Sequence, residues 1–289
     1  MRLRRYLKNS ASPALLFSLL FSLFLSGCTE KLESTYKEKD IPDIVRKICK
    51  EEYKLDVIAK RAENTLWIYA PLQRILHKDY GIKEDKTFDD DTMDKLRNIL
   101  GTIGRVLISS DKVPEFFALV ASDINVGIDY TIIANTMDIK KSSAEFIPWT
   151  EANRRYVTQI KLEPKAVGDA LGSHVEFTDI KPGDFLAGQI AQRFAGVFQE
   201  ESLKKFFKVN KAEGKFQQGV FIFEYSIEEV FPPPKKINIR EEIIDTIKYC
   251  LQTYEFKDFE TVEINNAIAQ DRLILGREAI LKNTNGKEF

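Results

Sequence analysis

The chain has 289 residues, of which 44% are hydrophobic and 30% are charged. This length and composition allow one large domain or two small ones with a substantial core, and they exclude a disordered chain. Residues 28–289 carry a formal charge of −5, because residues 1–27 hold four of the 43 basic residues and none of the 44 acidic ones. Since no basic excess is available for phosphate contacts, we expect no nucleic-acid partner.

The chain opens with a basic start and an apolar stretch. Basic residues within positions 1–8 precede an apolar run from Ala14 to Leu25, and the small pair Ser26-Gly27 stands directly before Cys28. A basic region, an apolar region and small residues before a cleavage point are typical of a secretory signal peptide. The run Leu25-Ser26-Gly27-Cys28 resembles the lipobox of bacterial lipoproteins.

The lipobox resemblance implies cleavage before Cys28, attachment of acyl chains such as palmitate to that residue, and anchoring in a bacterial membrane. It divides the chain into a signal peptide (residues 1–27), a charged tether (28–40) and a domain (41–289). We expect the domain to face the periplasm or the cell exterior, and Thr29 favours the outer membrane if the cell is Gram-negative. The alternative is an uncleaved apolar anchor, since residues 9–29 carry no charge.

Helical and β-type patterns alternate four times after the tether. The apolar periods predict helices over residues 41–53, 92–109 and 238–254. Between the last two, a third helix follows Lys181-Pro182-Gly183-Asp184, with Asp184 as its N-cap and apolar residues from Phe185 to Phe198. Each helix is followed by two β-type segments, over residues 55–60 and 65–70, 115–122 and 126–137, 206–211 and 216–227, and 256–265 and 272–275. We expect turns at Glu63-Asn64 and Glu213-Gly214 and a frayed tail over residues 282–289. The stretch from 145 to 179 breaks the series and holds a short helix near 150–155 and a strand near 156–162.

Consecutive strands across short turns pair as antiparallel hairpins, and helices inserted between hairpins pack on one face of a sheet. We therefore predict an α+β fold, in which an antiparallel sheet built from hairpins carries helices on one face. The first interpretation is a single domain with repeated helix–hairpin units. The second is two related halves that meet between residues 145 and 180.

Two cysteines remain after Cys28. Cys49 and Cys250 both lie on apolar faces of predicted helices. An oxidising compartment permits a disulfide between them, which would close a loop of about 200 residues. Buried free thiols are the other interpretation, because an unpaired cysteine packs as a small hydrophobe. The sequence leaves both open.

Residues suited to catalysis or metal binding are scarce. His77 and His174 have no metal-ligand spacing, so we predict no metal, no cofactor and no catalytic residue, and we expect both in exposed polar loops. A hydrolytic triad around His174 is the weaker alternative. The acidic run Asp89 to Asp91, with Asp94, suits a helix start better than a calcium loop, because it lacks the spacing of a calcium site.

Aromatic residues give further candidates. Trp67 and Tyr69, and likewise the alternating aromatics of residues 221–225, are expected to face the core. Trp149 follows a proline and precedes Arg154 and Arg155, which suggests a contact with a partner.

Three functions follow as hypotheses. The first is a non-enzymatic, lipid-anchored envelope protein that binds protein or surface components, for which we expect an exposed apolar patch or sheet edge. The second is a receptor for a small or lipidic ligand, which requires a deep apolar pocket. The third is a lipid-anchored hydrolase, which requires a histidine, an acid and a nucleophile in one concave site.

Overall fold

The computed structural model describes residues 35–77 and 87–282. Cys28, the predicted signal peptide, most of the tether and the tail after Lys282 lie outside the described residues. The residues from Tyr36 onward belong to one compact unit. The helices of the described part are α1 (Ile41–Tyr53), α2 (Asp90–Ile108), α3 (Thr136–Ser143), α4 (Trp149–Arg154), α5 (Pro182–Gln199), α6 (Ile239–Thr253) and α7 (Arg277–Leu281). No helix among these is long and apolar enough to cross a bilayer.

The strands form two sheets. Sheet 1 has the order β1-β2-β3-β4-β5 and sheet 2 the order β6-β7-β8-β9. The strands are β1 (Ile58–Ala62), β2 (Thr65–Leu72), β3 (Phe116–Asp123), β4 (Ile128–Asn135), β5 (Val157–Leu162), β6 (Phe207–Gln217), β7 (Val220–Glu229), β8 (Thr261–Asn266) and β9 (Asp271–Gly276). In each sheet two antiparallel hairpins meet at a parallel central pair, β2 with β3 and β7 with β8.

The order of elements repeats along the chain. Helix, hairpin, helix, hairpin runs from α1 to β4 and again from α5 to β9. The parallel pair in each sheet follows from this order, because parallel strands need a long crossover and α2 and α6 supply it. The predicted α+β class, with hairpins and helices packed together, is confirmed. The structure adds that the hairpins form two sheets and join through parallel contacts.

Each sheet buries one face under its two long helices. In sheet 1, alternate residues of β2 and β3, such as Ile68 and Leu119, pack with α1 and α2. In sheet 2, Phe221, Phe223 and Tyr225 pack with α5 and α6, so the prediction that they are core residues is confirmed. Sheet and helix faces of this kind contribute most of the stability of a domain through buried apolar area.

The second face of sheet 1 is covered by residues 163–181, which we call the strap. Trp67 and Tyr69 lie beneath it with Ala118 and Val120. The indole Nε1 of Trp67 donates to the carbonyl oxygen of Thr178 at 2.6 Å, and Trp67 meets the ring of Phe177 edge-on. Trp67 is therefore buried, as predicted, although the strap and not a helix buries it.

The turn of the β6–β7 hairpin differs from the prediction. It lies at Gln218-Gly219, where both residues have positive φ, and not at Glu213-Gly214. Gly214 instead lies inside β6, where α5 approaches so closely that a Cβ would lie 2.2 Å from the carbonyl oxygen of Ala187. The glycine marks close packing of backbone on backbone, which a sequence pattern does not separate from a turn.

The two acidic helix starts have different outcomes. Asp89 is the N-cap of α2 and accepts a hydrogen bond from the backbone of Thr92, with Asp90 and Asp91 in the first turn, so the helix-start interpretation is confirmed. No cluster of metal-ligating side chains occurs within residues 35–77 and 87–282. Asp184 lies in the first turn of α5 and is not its cap, because the helix already begins at Pro182.

Cys49 and Cys250 are buried free thiols. Cys49 belongs to the core of sheet 1 and Cys250 to the core of sheet 2. The interpretation as buried thiols therefore describes the structure, in which no bridge joins the two residues. Burial raises the pKa of Cys250 to about 12, which keeps it a neutral and unreactive thiol.

The outer edge of β5 meets a side chain instead of a strand. The backbone N–H of Thr158 donates to Oε1 of Gln192 at 3.0 Å, and Nε2 of Gln192 donates to the carbonyl oxygen of Thr158. One amide on α5 thus satisfies both backbone groups of this edge residue.

Candidate functional site

A cleft of about 480 Å³ opens between α4, the start of β5, α5 and α6. Its walls carry arginine, glutamate and tyrosine side chains together with Gly196 and Val197 of α5. The volume is typical of a pocket that holds a small ligand or the side chain of a partner. The wall is polar and charged, whereas most small-ligand pockets are mainly apolar.

Glu151 lies at the floor of the cleft and accepts four hydrogen bonds. Arg193 donates to both carboxylate oxygens at 2.9 and 3.0 Å, Nε of Arg155 donates at 2.8 Å and the hydroxyl of Tyr249 at 3.0 Å. Burial alone would raise the pKa of Glu151, but the hydrogen bonds and charges of the two arginines outweigh it and lower the pKa to about 2. The floor is therefore an ionised carboxylate held in one orientation.

Arg155 extends this network into the protein. Its Nη1 donates to Oδ1 of Asp138 at 2.8 Å, and the hydroxyl of Tyr254 donates to the other oxygen of Asp138. The amide of Gln189 donates to Tyr254 at 2.8 Å. Burial works against the charge of Arg155, but its hydrogen bonds to Glu151 and Asp138 raise its pKa above the usual value for arginine. The network joins α3, α4, α5 and α6 around one guanidinium.

The three residues predicted to contact a partner have different surroundings. Trp149 is 60% exposed, and Arg154 has 59% of its side chain exposed and pairs with Glu200 at 3.0 Å. Arg155 has only 7% of its side chain exposed and is fully engaged by carboxylates. The expectation that Arg155 makes a surface contact is therefore wrong. Successive residues along a helical turn point in different directions, so Arg154 faces solvent and Arg155 faces the interior.

Trp149 connects the cleft to a second hollow. Its ring meets Tyr156, which lines the cleft, edge-on at 6.4 Å between centroids. On its other side it lines a hollow of about 350 Å³ with Ile147 and Pro148. Phe146 stands next to this hollow and is 80% exposed. Two large aromatic side chains thus project beside a concave surface.

The charges of the cleft do not balance. Arg193 pairs with Glu151 and Arg154 with Glu200, whereas the carboxylate of Glu242, which also lines the cleft, has no ion pair among the described residues. The wall therefore has a surplus of one negative charge.

His174 is not in an exposed loop, which corrects the sequence-based expectation. Its side chain is 4% exposed and lies between Asp169 (Nδ1 to Oδ2, 2.6 Å) and Asp129 (Nε2 to Oδ2, 3.1 Å). Ser122 donates to Asp129 at 2.5 Å and not to His174, so the serine and the histidine do not form a nucleophile–base pair. His77 follows β2 and its backbone N–H donates to the carbonyl oxygen of Thr87 at 3.0 Å.

Sequence reasoning missed most of the cleft. Glu151 and Arg155 have the i, i+4 spacing of a helical ion pair, which a reader of the sequence can detect. Arg193 and Tyr249 come from other helices, 42 and 98 residues further on. Only the packing of α4, α5 and α6 brings them together.

Comparisons with family models, with curated proteins and with solved structures found no match to this chain.

Proposed function

We propose that this chain is a lipid-anchored protein of the bacterial cell envelope that acts by binding a protein partner, without catalysis, at the cleft between α4, α5 and α6. The carrying observation is the exposure of Trp149, which lines the neighbouring hollow and contacts Tyr156 of the cleft, and of Phe146, three residues before Trp149. Large aromatic residues next to a concave surface supply much of the binding energy in protein interfaces.

The fixed floor of the cleft supports this proposal. Glu151 and Arg193 are held by several hydrogen bonds each, so binding does not have to order them. Preorganised polar groups lower the entropic cost of association. The surplus charge from Glu242 favours a partner that inserts a lysine or arginine side chain.

The anchor would keep the domain near a membrane. Tyr36 is fixed to the end of α2, since its N–H donates to Ser109 at 3.1 Å and its carbonyl accepts from Asp111 at 3.0 Å. Cys28 lies eight residues before Tyr36, and eight residues span at most about 28 Å when extended. A lipid on Cys28 would therefore hold the domain close to the bilayer.

The other two hypotheses have less support. A lipidic ligand needs an apolar cavity, and burying Glu151 and Glu242 against an acyl chain would cost free energy. A hydrolase needs an accessible nucleophile beside a base, whereas His174 is buried and engaged by two aspartates.

Filling the cleft tests the proposal. Gly196 lines it, and a Cβ there would meet no atom within 4 Å, so Gly196→Phe places a ring in the cleft without disturbing the fold. Gly101 on the exposed side of α2 has equally open surroundings, and Gly101→Phe is the matched control. A photo-crosslinking phenylalanine analogue at position 146, introduced in cells, reports the partner.

We expect one discrete crosslinked protein that is lost in Gly196→Phe and in Glu242→Lys and retained in Gly101→Phe. Full-length protein in membranes is used, and thermal melts check that each variant is folded. A folded Gly196→Phe variant that still crosslinks to the same protein would refute the cleft as the binding site.

Mass spectrometry of the mature N-terminus tests the anchor separately. We expect a chain that begins at an acylated Cys28, and loss of acylation in Cys28→Ser. Since a single acyl chain gives only reversible membrane binding, more than one is expected. A chain that still begins at Met1 with an unmodified Cys28 would contradict the proposal.

A further inference from the structure

The strap has little regular structure of its own. Apart from a 3-10 turn at Pro164–Ala166 it contains no helix, and it pairs with no strand of either sheet. It nevertheless covers an apolar face that includes Trp67 and Tyr69. Its beginning is held by backbone hydrogen bonds from Glu163 to Gly127 at 2.7 Å and from Gly168 to Ile124 at 2.8 Å. Side-chain contacts hold its middle and its end.

The end of the strap is fixed by Asp179. Its carboxylate accepts from the backbone of Asn64 and from the hydroxyl of Thr65, both at 3.0 Å. The same hydroxyl accepts from the backbone of Ile180 at 2.9 Å. These bonds involve no group that titrates near neutral pH.

The middle of the strap is fixed by His174. Asp169 of the strap accepts from the backbone of Leu171 at 3.1 Å, from the backbone of His174 at 3.0 Å and from Nδ1 of the same residue at 2.6 Å. Asp129, on the other side of the ring, belongs to β4 of the sheet. The ring of His174 thus joins the strap to the strand beneath it.

The chemistry of this contact depends on a proton. Burial would raise the pKa of Asp169, but its hydrogen bonds to His174 and Leu171 lower the pKa to about 2, so its carboxylate is ionised and can only accept. Nδ1 of His174 must then donate to Asp169. Nε2 can donate to the carboxylate of Asp129 only if it carries a second proton. The imidazolium makes both bonds, whereas neutral imidazole directs a lone pair at Asp129.

Tyr69 couples this contact to the covered face. Its hydroxyl donates to the backbone carbonyl of Asp169, and its ring meets the imidazole edge-on at 5.6 Å. Gly172 has a φ of +65° and lies against the same ring, where a Cβ would come within 2.8 Å of it. Movement of His174 would therefore loosen the strap over Tyr69.

We propose that His174 is a proton-dependent clamp that holds the strap over the second face of sheet 1. With both ring nitrogens protonated, the strap is closed; loss of one proton as the pH rises breaks the bond to Asp129 and lets the strap open over Trp67 and Tyr69. The other charged groups nearby are Glu163 and Lys161, which pair with each other at 2.8 Å. Asp129 and Asp169 are the carboxylates that contact the ring directly.

Hydrogen exchange and fluorescence test the clamp in the full-length protein. Trp149→Phe leaves Trp67 as the chain's single tryptophan, and its emission and accessibility to a quencher report the strap. Between about pH 5 and 8, where histidine titrates, we expect quenching of Trp67 to rise. Amide exchange over residues 163–181, corrected for intrinsic rates, should rise by roughly 10- to 100-fold, the change expected for one charge-assisted hydrogen bond.

The two histidines of the chain provide a matched pair of variants. His174→Gln should remove the pH dependence, and His77→Gln should leave it unchanged. Nitrogen NMR of the His77→Gln protein observes His174 directly, and it does not depend on whether His174→Gln folds. We expect both ring nitrogens protonated at the acidic end of the range. A neutral ring there, or strap exchange and Trp67 quenching that do not change with pH, would overturn the proposal.

Discussion

Arg155→Met tests whether the buried ion network holds the four helices together. Arg155 joins Asp138 and Glu151, both at 2.8 Å, and its side chain is 7% exposed. Methionine has a similar length, so the change removes the charge and the hydrogen bonds but leaves little empty space.

The expected loss of stability follows from what remains. Glu151 keeps Arg193 and Tyr249, but Asp138, with 3% of its side chain exposed, keeps only the hydroxyl of Tyr254. Removing one partner of a buried ion pair costs about 3–5 kcal/mol, because the other charge stays buried without compensation. For a domain of this size we expect a melting temperature lower by about 6–20 °C.

Arg154→Met is the matched control. Arg154 precedes Arg155 in the chain and also pairs with a glutamate, but both members of its pair are exposed. Exposed pairs contribute about 0–1 kcal/mol, so we expect a shift of less than about 4 °C.

Urea and thermal unfolding of both variants provide the comparison. Asp138→Asn, added to Arg155→Met, should recover part of the loss because it removes the uncompensated charge. If the free energies of unfolding of Arg155→Met and Arg154→Met differ by less than about 1 kcal/mol, the reasoning about the buried network is refuted.

Three further predictions concern pH, packing and the thiols. The pKa values of Asp169 and Glu151 are both lowered to about 2 in the folded protein. The ionised carboxylates therefore stabilise the fold fully above the unfolded-state pKa values near 4, and this stabilisation is lost as the pH falls toward 2. Urea midpoints that stay constant from about pH 5 to 2 would contradict this. Gly214→Val should destabilise the fold strongly, because a Cβ there would lie 2.2 Å from a carbonyl oxygen of α5. Gly101→Val should be tolerated, because a Cβ there meets no atom within 4 Å. Equal stability of the two variants in chemical denaturation would contradict the packing argument. Both core cysteines should react with a thiol reagent only after unfolding, and rapid labelling of the native protein would show that they are accessible.

The sequence predicted most of the local structure because the local patterns are strong. The apolar period of residues 41–53 gave the bounds of α1, and the turn at Glu63-Asn64 lies where it was expected. Alternating aromatics on β7 correctly marked its core face. These features depend on neighbouring residues alone, so no tertiary information is needed.

The sequence could not predict features that depend on contacts between distant segments. The pair Glu213-Gly214 is typical of a turn in sequence, but Gly214 lies inside β6, where its backbone packs closely against the backbone of α5. His174 and Asp129 are 45 residues apart and meet only because the strap folds back over sheet 1. Arg154 and Arg155 have the same chemistry in sequence, and only the positions of Asp138 and Glu200 separate a buried charge from an exposed one.

The side-chain amide of Gln192 has a consequence for how this protein behaves at high concentration. An edge strand with unpaired N–H and C=O groups is a template on which another chain can add a strand, the first step toward aggregation. By bonding both groups of Thr158, Gln192 occupies one position of this edge. The helix that builds the wall of the cleft thus also protects one position of this edge, so loss of the amide would open the backbone of Thr158 to strand addition and alter the cleft wall at the same time.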